Sequence, residues 1–271
     1  MQVATRLGLL IGSSRNGGNG HGLAAWLTQI LDDRLNAPGS ANVVEIVAVD
    51  PREPPHPFGP VVDGSKLPSQ VPDPFAYASP AIREWSRFVT SCAGFAIVTP
   101  EYNGGYPGEL KNALDHLYKE WAEKPVALVT YGGGGGASCQ TQLQVVLNAL
   151  KMRVVPDPVG IRLPRAYTGG SERVSSTGSF PDFLDPYVGA VQGTADRLRE
   201  MLFEKPVNNQ WYAPPRLIAC LILTADMACS RRSVRTHTAS HRTMATGNEA
   251  LTVCCNEVAN WNPCLTRGSG T

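Results

Sequence analysis

The sequence lacks any apolar segment long enough to cross a lipid bilayer. Among its 271 residues, the longest apolar runs are residues 7–11 and 217–223, whereas a membrane-spanning helix needs about 20 residues. The first run follows a single early arginine, Arg6, and continues directly into Gly-Ser-Ser-Arg. It is therefore too short for the core of a signal peptide. These absences argue against a membrane protein and predict a cytoplasmic one.

An excess of charge of either sign is also absent. The chain has 24 lysines and arginines and 23 aspartates and glutamates, so its formal net charge is +1 at pH 7. Proteins that capture nucleic acids or anionic membranes electrostatically concentrate positive charge. The balance of charge therefore argues against both kinds of partner.

Cysteine is scarce over most of the chain. Only Cys92 and Cys139 precede residue 213, and the other five cysteines lie beyond it. Two isolated thiols do not make a disulfide framework, which favours a reducing compartment. The five later cysteines form no Cys-x-x-Cys pair and have no metal-ligand spacing with His237 or His241, which argues against a zinc site.

The composition changes near Ala213. From there to the end the chain has no lysine, six arginines and three acidic residues, and it shows little hydrophobic periodicity. We therefore predict a folded domain over residues 1–205 and an appended, disordered tail over residues 206–271.

The first part alternates between short apolar runs and helical patterns. The runs predict strands at 3–12, 43–49, 94–99, 126–131 and 152–155. The helical patterns predict helices at 19–35, with Asn19 as the N-cap, and at 80–91, 107–121, 138–151 and 183–203. Strict alternation of this kind predicts an α/β fold, in which helices cover both faces of a parallel sheet.

Residues 51–77 interrupt the alternation. They contain eight prolines, and proline is incompatible with the interior of regular helices and sheets. We expect an ordered irregular loop that takes part in function or in an interface.

The loop after the first strand has the composition of an anion site. It reads Gly12-Ser13-Ser14-Arg15-Asn16-Gly17-Gly18-Asn19-Gly20. Glycine allows backbone N–H groups to approach an anion, the following helix start adds partial positive charge, and Arg15 can bond two phosphate oxygens. The loop has neither the Lys-Ser/Thr pair of a P-loop nor the third glycine of the dinucleotide fingerprint. The alternative is a flexible glycine loop, but the two hydroxyls and Arg15 favour phosphate binding.

Two further loops follow the third and fourth strands. Residues 99–108 carry two aromatic side chains, Tyr102 and Tyr106, among glycines, which fits the border of a planar heterocycle or an ordinary Asn-Gly turn. Residues 132–136 are five consecutive glycines, which fit the close passage of a backbone or ligand, or a flexible connector. All three loops belong at the carboxyl edge of the sheet, where open α/β folds bind ligands.

Together these loops resemble the NADPH-dependent FMN reductase family. The matching stretches are Gly12-Ser13-Ser14-Arg15, residues 98–115 (VTPEYNGGYPGELKNALD) and residues 124–136 (KPVALVTYGGGGG). The similarity covers about residues 5–203 in family order, and Pro-Glu-Tyr-Asn is its most specific part.

The resemblance implies a flavodoxin-like three-layer α/β/α fold with a five-stranded parallel sheet in the order 2-1-3-4-5, and FMN as the cofactor. Ser13 and Arg15 would hold the phosphate, assisted by N–H groups around Asn19 and Gly20. The isoalloxazine ring would be bordered on one margin, largely through backbone contacts, by Pro100, Glu101, Tyr102, Asn103 and Gly104, and on the other by Tyr131 and Gly132. The resemblance also implies a homodimer or homotetramer.

The chain departs from the family pattern at two places. Many members carry an arginine where this chain has Gly18, and another after the glycine run, where this chain has Ser138 and Cys139. These departures bear on phosphate binding and on contacts to the nucleotide or to a partner subunit.

The activity implied is a ping-pong oxidoreduction. NADPH or NADH would reduce bound FMN, and a quinone, a free flavin or a similar small acceptor would then take the electrons. The chemistry belongs to the flavin, so we expect no catalytic acid–base side chain and no metal. A non-catalytic FMN-binding electron carrier or sensor shares the same three loops, and a non-flavin interaction protein is a further alternative.

Overall fold

The computed structural model describes residues 4–40, 42–57, 59 and 65–204. The tail predicted at 206–271 lies outside the described residues. Within them, no helix is both long enough and apolar enough to cross a membrane.

In the part of the chain that the structure describes, six parallel strands form one sheet. They are β1 (Thr5–Ile11), β2 (Val44–Val49), β3 (Gly94–Pro100), β4 (Pro125–Gly132), β5 (Arg153–Val154) and β6 (Val159–Arg162). The strand order is β2-β1-β3-β4-β5, and β6 also pairs with β4. The predicted order 2-1-3-4-5 is confirmed.

Within the described residues, six helices accompany the sheet and make it the middle of three layers. They are α1 (Gly20–Leu35), α2 (Pro80–Ser91), α3 (Gly108–Asp115), α4 (Ala137–Ala149), α5 (Arg165–Thr168) and α6 (Asp185–Phe203). Because successive strand residues face opposite sides of a sheet, Leu7 and Leu9 pack with α1 and α6. Leu10 faces the other side and packs with α2, α3 and α4. The predicted α/β/α architecture is confirmed.

The fifth strand position differs from the prediction of one strand at 152–155. It is shared by β5, which pairs with the start of β4, and β6, which pairs with its end. Between them lie Pro156, Asp157 and Pro158, and Asp157 has a φ of 57°. Proline has no N–H to donate to a ladder, so the strand is broken there. The prediction missed β6 because it has only four residues.

The helix predicted at 107–121 also differs, since α3 ends at Asp115. The indole of Trp85 donates to the carbonyl of Ala113 (2.9 Å), and the indole of Trp121 donates to that of Leu114 (3.2 Å). Side chains therefore satisfy carbonyl groups that a longer helix would bond to its own backbone. A separate 3₁₀ turn follows at Lys119–Trp121.

The proline-rich loop is irregular, as predicted. In the described part of residues 51–77, the helical structure consists of two 3₁₀ turns at Pro68–Gln70 and Pro74–Ala76.

Residues 163–181, the connecting segment, cross the start of α1. A side chain at Gly22 would place its Cβ 2.0 Å from the carbonyl oxygen of Val174, so only glycine allows this approach. Asn19 precedes α1 as predicted, but its side chain makes no cap hydrogen bond. Its amide instead donates to the carbonyl of Tyr167 (2.8 Å) and accepts from the N–H of Val174 (3.0 Å).

Replacing Gly22 with alanine should therefore displace the connecting segment. We expect Gly22→Ala to lower the free energy of unfolding by about 1–3 kcal/mol, the usual cost of overpacking. Gly189→Ala is the matched control, because a Cβ on that glycine of α6 meets no atom within 4 Å. The control should be stabilised by about 0.5–1 kcal/mol through helix propensity. Urea unfolding measures both, and equal effects would contradict the close contact.

Candidate functional site

A cleft of about 380 Å³ opens at the carboxyl edge of the sheet, beyond β1, β3 and β4. Parallel α/β sheets place their ligand sites at this edge, near the reversal of strand order. Nine residues singled out in the sequence line it, namely Ser13, Arg15, Asn19, Gly20, Pro100, Glu101, Tyr102, Tyr131 and Gly132. Loops far apart in the chain thus meet around one space.

Asn103 and Gly104 lie outside the residues that line the cleft. They form the tip of a tight turn with φ values of 52° and 78°, closed by two backbone hydrogen bonds between Tyr102 and Gly105. The carbonyl of Gly104 accepts a hydrogen bond from Gln142 of α4 (2.7 Å). The backbone of this pair is therefore the Asn-Gly turn that the sequence left open as an alternative.

Side chains join the first loop to the second. Ser13 is 4% exposed, and its hydroxyl lies 2.6 Å from the hydroxyl of Tyr102. The same serine oxygen accepts the N–H of Arg15 (3.2 Å). The guanidinium carbon of Arg15 lies 3.9 Å from the centroid of the Tyr102 ring, a cation–π geometry. These contacts hold the arginine at the mouth of the cleft.

Glu109, in the first turn of α3, anchors the first loop through its carboxylate. One of its carboxylate oxygens accepts the N–H (2.8 Å) and the hydroxyl (2.7 Å) of Ser14. Partial burial acts to raise the pKa of Glu109, but the hydrogen bonds from Ser14 outweigh it and the pKa lies below the usual value. The ionised form is thus the one that fits the loop.

Glu101 connects the second loop to α4. Its carboxylate accepts the N–H groups of Ser138 (3.1 Å) and Cys139 (3.3 Å) at the start of that helix. A carboxylate is favoured there by the unpaired N–H groups and the helix dipole. Its backbone N–H donates to the carbonyl of Tyr131 (2.9 Å). Glu101 therefore ties the loop to α4 through its side chain and to β4 through its backbone, which is a structural role.

Two residues of the glycine run, Gly135 and Gly136, make close contacts with neighbouring residues. Gly136 has a φ of 77°, and a Cβ there would lie 2.7 Å from Cβ of Thr130. A Cβ on Gly160 of β6 would lie 2.8 Å from the carbonyl oxygen of Gly135, which also accepts the Thr130 hydroxyl (2.9 Å). Of the alternatives left open by the sequence, passage of another backbone describes Gly135, whereas Gly136 makes room for the side chain of Thr130.

Two potentially reactive groups near the cleft are buried and neutral. Tyr131 is 5% exposed, and burial raises its pKa far above that of free tyrosine. Cys139 is fully buried, and burial raises the pKa of its thiol to about 12. The helix start therefore does not make Cys139 a thiolate, and the residue serves packing.

The connecting segment supplies a wall of the cleft that the sequence analysis missed. Its lining residues are Leu163, Tyr167, Thr168 and Arg173. No motif or spacing identifies these residues in the sequence. They reach the cleft because Asn19 holds the connecting segment against the start of α1. The sequence offered one sign of them, namely that Tyr167 and Arg173 stand in an otherwise polar segment between strand and helix.

The fold and the cleft define a flavodoxin-like α/β protein with a candidate ligand site at its sheet edge. The model of the NADPH-dependent FMN reductase family matches residues 5–162. The chain belongs to that family.

Several fungal relatives have similar sequences. The NAD(P)H-dependent FMN reductase C4B3.06c of Schizosaccharomyces pombe is 51% identical over 89 residues, which is 33% of this chain and 44% of that protein. LOT6 of Saccharomyces cerevisiae, with the same description, is 46% identical over 102 residues, 38% of this chain and 53% of that protein. The chain thus spans about half the length of these two relatives. A third, ntnL of a Nectria species, is 34% identical over 156 residues, 57% of this chain and 73% of that protein.

A solved structure shares the fold. FerB of Paracoccus denitrificans, described as a flavoenzyme NAD(P)H:(acceptor) oxidoreductase, superposes with a TM-score of 0.51 at 20% identity. The match covers 73% of this chain and 97% of that chain. At this identity the likeness shows the fold alone.

The bond between Glu101 and α4 can be tested directly. We expect Glu101→Ala to lower the free energy of unfolding by about 1 kcal/mol, the usual cost of a lost helix cap, and Glu101→Gln to lose less because an acceptor remains. Glu84→Ala is the control, since Glu84 is an exposed residue of α2. Urea unfolding gives the three values. A Glu101→Ala variant as stable as the control would refute the capping role.

Proposed function

We propose that the chain is an FMN-dependent NAD(P)H oxidoreductase. It would pass electrons from NADPH or NADH, through bound FMN, to a quinone, a flavin or a similar small acceptor. The observation that carries the proposal is the meeting of three loops of the family pattern around one cleft. Its volume of about 380 Å³ is within the range of cofactor pockets, about 300–1,000 Å³.

The phosphate end of FMN fits the first loop. Arg15 forms no ion pair with a carboxylate of the described residues, so its guanidinium is available to an anion. The start of α1 adds N–H groups around Asn19 and Gly20 that have no partner inside the helix. Ser13 places a hydroxyl beside them. This donor set suits a phosphate rather than a neutral group.

The ring end fits the other two loops. We assign one margin to Pro100, Glu101 and Tyr102, with Asn103 and Gly104 at the rim, and the opposite margin to Tyr131 and Gly132. When bound, FMN supplies a ring that accepts a hydride from NAD(P)H and passes electrons to an acceptor.

The side chains bind and orient in this proposal and do not exchange protons. Among the described lining residues, the one carboxylate is that of Glu101, and one of its oxygens accepts two N–H groups of α4. The phenol of Tyr131 stays protonated and can only donate or accept a hydrogen bond. We therefore assign no acid–base role to these side chains.

The cofactor and the activity are tested by one spectrum and one variant. The purified protein should absorb at about 450 nm through bound flavin, and this band should bleach on anaerobic addition of NADPH and return with a quinone. Arg15→Ala should weaken FMN binding about tenfold to a hundredfold, as expected for a charge-assisted hydrogen bond. Arg87→Ala, at an exposed position on α2, should leave the affinity unchanged.

Each alternative has its own outcome. A yellow protein that never consumes NADPH or NADH with any acceptor would be an electron carrier or sensor. A colourless protein that takes up no FMN would be a non-flavin protein. Unchanged FMN affinity in Arg15→Ala would remove that residue from the phosphate site.

We also propose a cytoplasmic location. Both cysteines of the described residues, Cys92 and Cys139, are unpaired and buried, as expected in a reducing compartment.

We further propose that the chain forms a homodimer or homotetramer through α4. None of the residues from Ala137 to Ala149 is charged, and Val145 is 67% exposed on this helix. Interface cores are depleted of charged residues in the same way. The helix begins at the cleft, next to Glu101, so self-association would place a second copy near the site.

A charge on this helix should prevent association. We expect Val145→Lys to reduce the molar mass in solution to that of one chain, because a desolvated lysine without a partner is costly in an interface. Ala190→Lys, at an exposed position on α6, should keep the mass of the unmodified protein. Light scattering coupled to size exclusion measures both. A single-chain mass for the unmodified protein would contradict the proposal.

A further inference from the structure

We propose that Arg173 is a second phosphate-binding residue, which makes the cleft selective for FMN over the phosphate-free riboflavin. The inference rests on the proposed function. It concerns a residue of the connecting segment, eleven positions beyond the stretch that matches the family model at 5–162.

The guanidinium of Arg173 is held at the first loop in a defined orientation. Its Nε donates to the carbonyl of Gly17 (3.0 Å). Its Nη1 donates to the carbonyls of Gly170 (2.8 Å) and Glu172 (2.6 Å). These bonds use three of the five N–H donors of a guanidinium. The two donors on Nη2 have no acceptor within the part of the chain that the structure describes, so they are available to a ligand.

Contacts with Asn19 and α1 fix the backbone next to Arg173. Val174 is 3% exposed, and its N–H donates to the side chain of Asn19. Gly22 permits its carbonyl to touch α1. Although the Arg173 side chain is exposed, its Cα is therefore held by buried neighbours. An anchored arginine loses less conformational entropy on binding than a free surface arginine.

Two arginines without a carboxylate partner thus face one cleft. Arg15 lies on the ring of Tyr102, and Arg173 is bonded to carbonyls only. By contrast, the arginines that do form ion pairs within the described residues are Arg6, Arg34, Arg52, Arg153 and Arg197. A phosphate monoester carries a charge of about −1.5 to −2 near pH 7. Two guanidinium groups beside a helix start match that charge better than one.

A purely structural role makes a different prediction. If Arg173 only tied the connecting segment to Gly17, its removal would loosen the cleft for any flavin. If it contacts the phosphate, its removal would affect FMN and leave riboflavin binding alone. The ratio of the two affinities therefore separates the roles.

The experiment titrates the apoprotein with FMN and, separately, with riboflavin, following the quenching of flavin fluorescence. We expect Arg173→Ala to weaken FMN about tenfold, the lower end of the range for a charged hydrogen bond because the side chain is exposed. Riboflavin affinity should change less than about twofold. Arg165→Ala is the matched control, an exposed arginine on the same segment that does not line the cleft.

Two results would overturn the assignment of Arg173. One is an unchanged FMN affinity in Arg173→Ala, and the other is an equal loss for FMN and riboflavin. If the unmodified protein binds neither flavin, the proposed function fails and the assignment fails with it. If it binds FMN but Arg173→Ala keeps the same preference, only the assignment fails.

Discussion

The site depends on one buried amide. Asn19 stands between the phosphate loop and α1, and its side chain bonds both Tyr167 and Val174 of the connecting segment. These two bonds satisfy the carbonyl of Tyr167 and the N–H of Val174 where the connecting segment crosses α1. The absence of a side chain at Gly22 makes the approach possible, and the amide of Asn19 makes it favourable. The wall of the cleft, including Arg173, follows from this pair.

Side-chain hydrogen bonds between distant segments hold the cleft together. Ser13 meets Tyr102, Ser14 meets Glu109, and Glu101 meets the start of α4. Each bond joins segments more than 30 residues apart in the chain. Preorganised loops of this kind lose little entropy when a ligand binds. This suits a protein whose own contribution would be to hold and orient a cofactor that carries the chemistry.

The family match and the cleft do not have the same extent. The match ends at residue 162, whereas the connecting segment begins at Leu163, whose N–H donates to the carbonyl of Gly132 at the cleft (2.9 Å). The shared part contains the three loops and hence the features common to the family. The segment beyond it supplies Tyr167 and Arg173, so selectivity among ligands is expected to reside partly there.

The alternation of apolar runs and helical patterns determined the α/β class, and the composition of three loops determined where the cleft lies, because both are local properties of the chain. The order of strands came from the resemblance, carried mainly by Pro-Glu-Tyr-Asn. Only the tertiary structure decided where the strand at 152–155 breaks, where α3 ends, and that Asn103 and Gly104 form a tight turn outside the cleft lining. It also decided that Arg173 enters the cleft. These outcomes depend on contacts between distant residues, such as indoles bonding helix carbonyls and an asparagine holding a segment about 150 residues away, and no local pattern encodes such contacts.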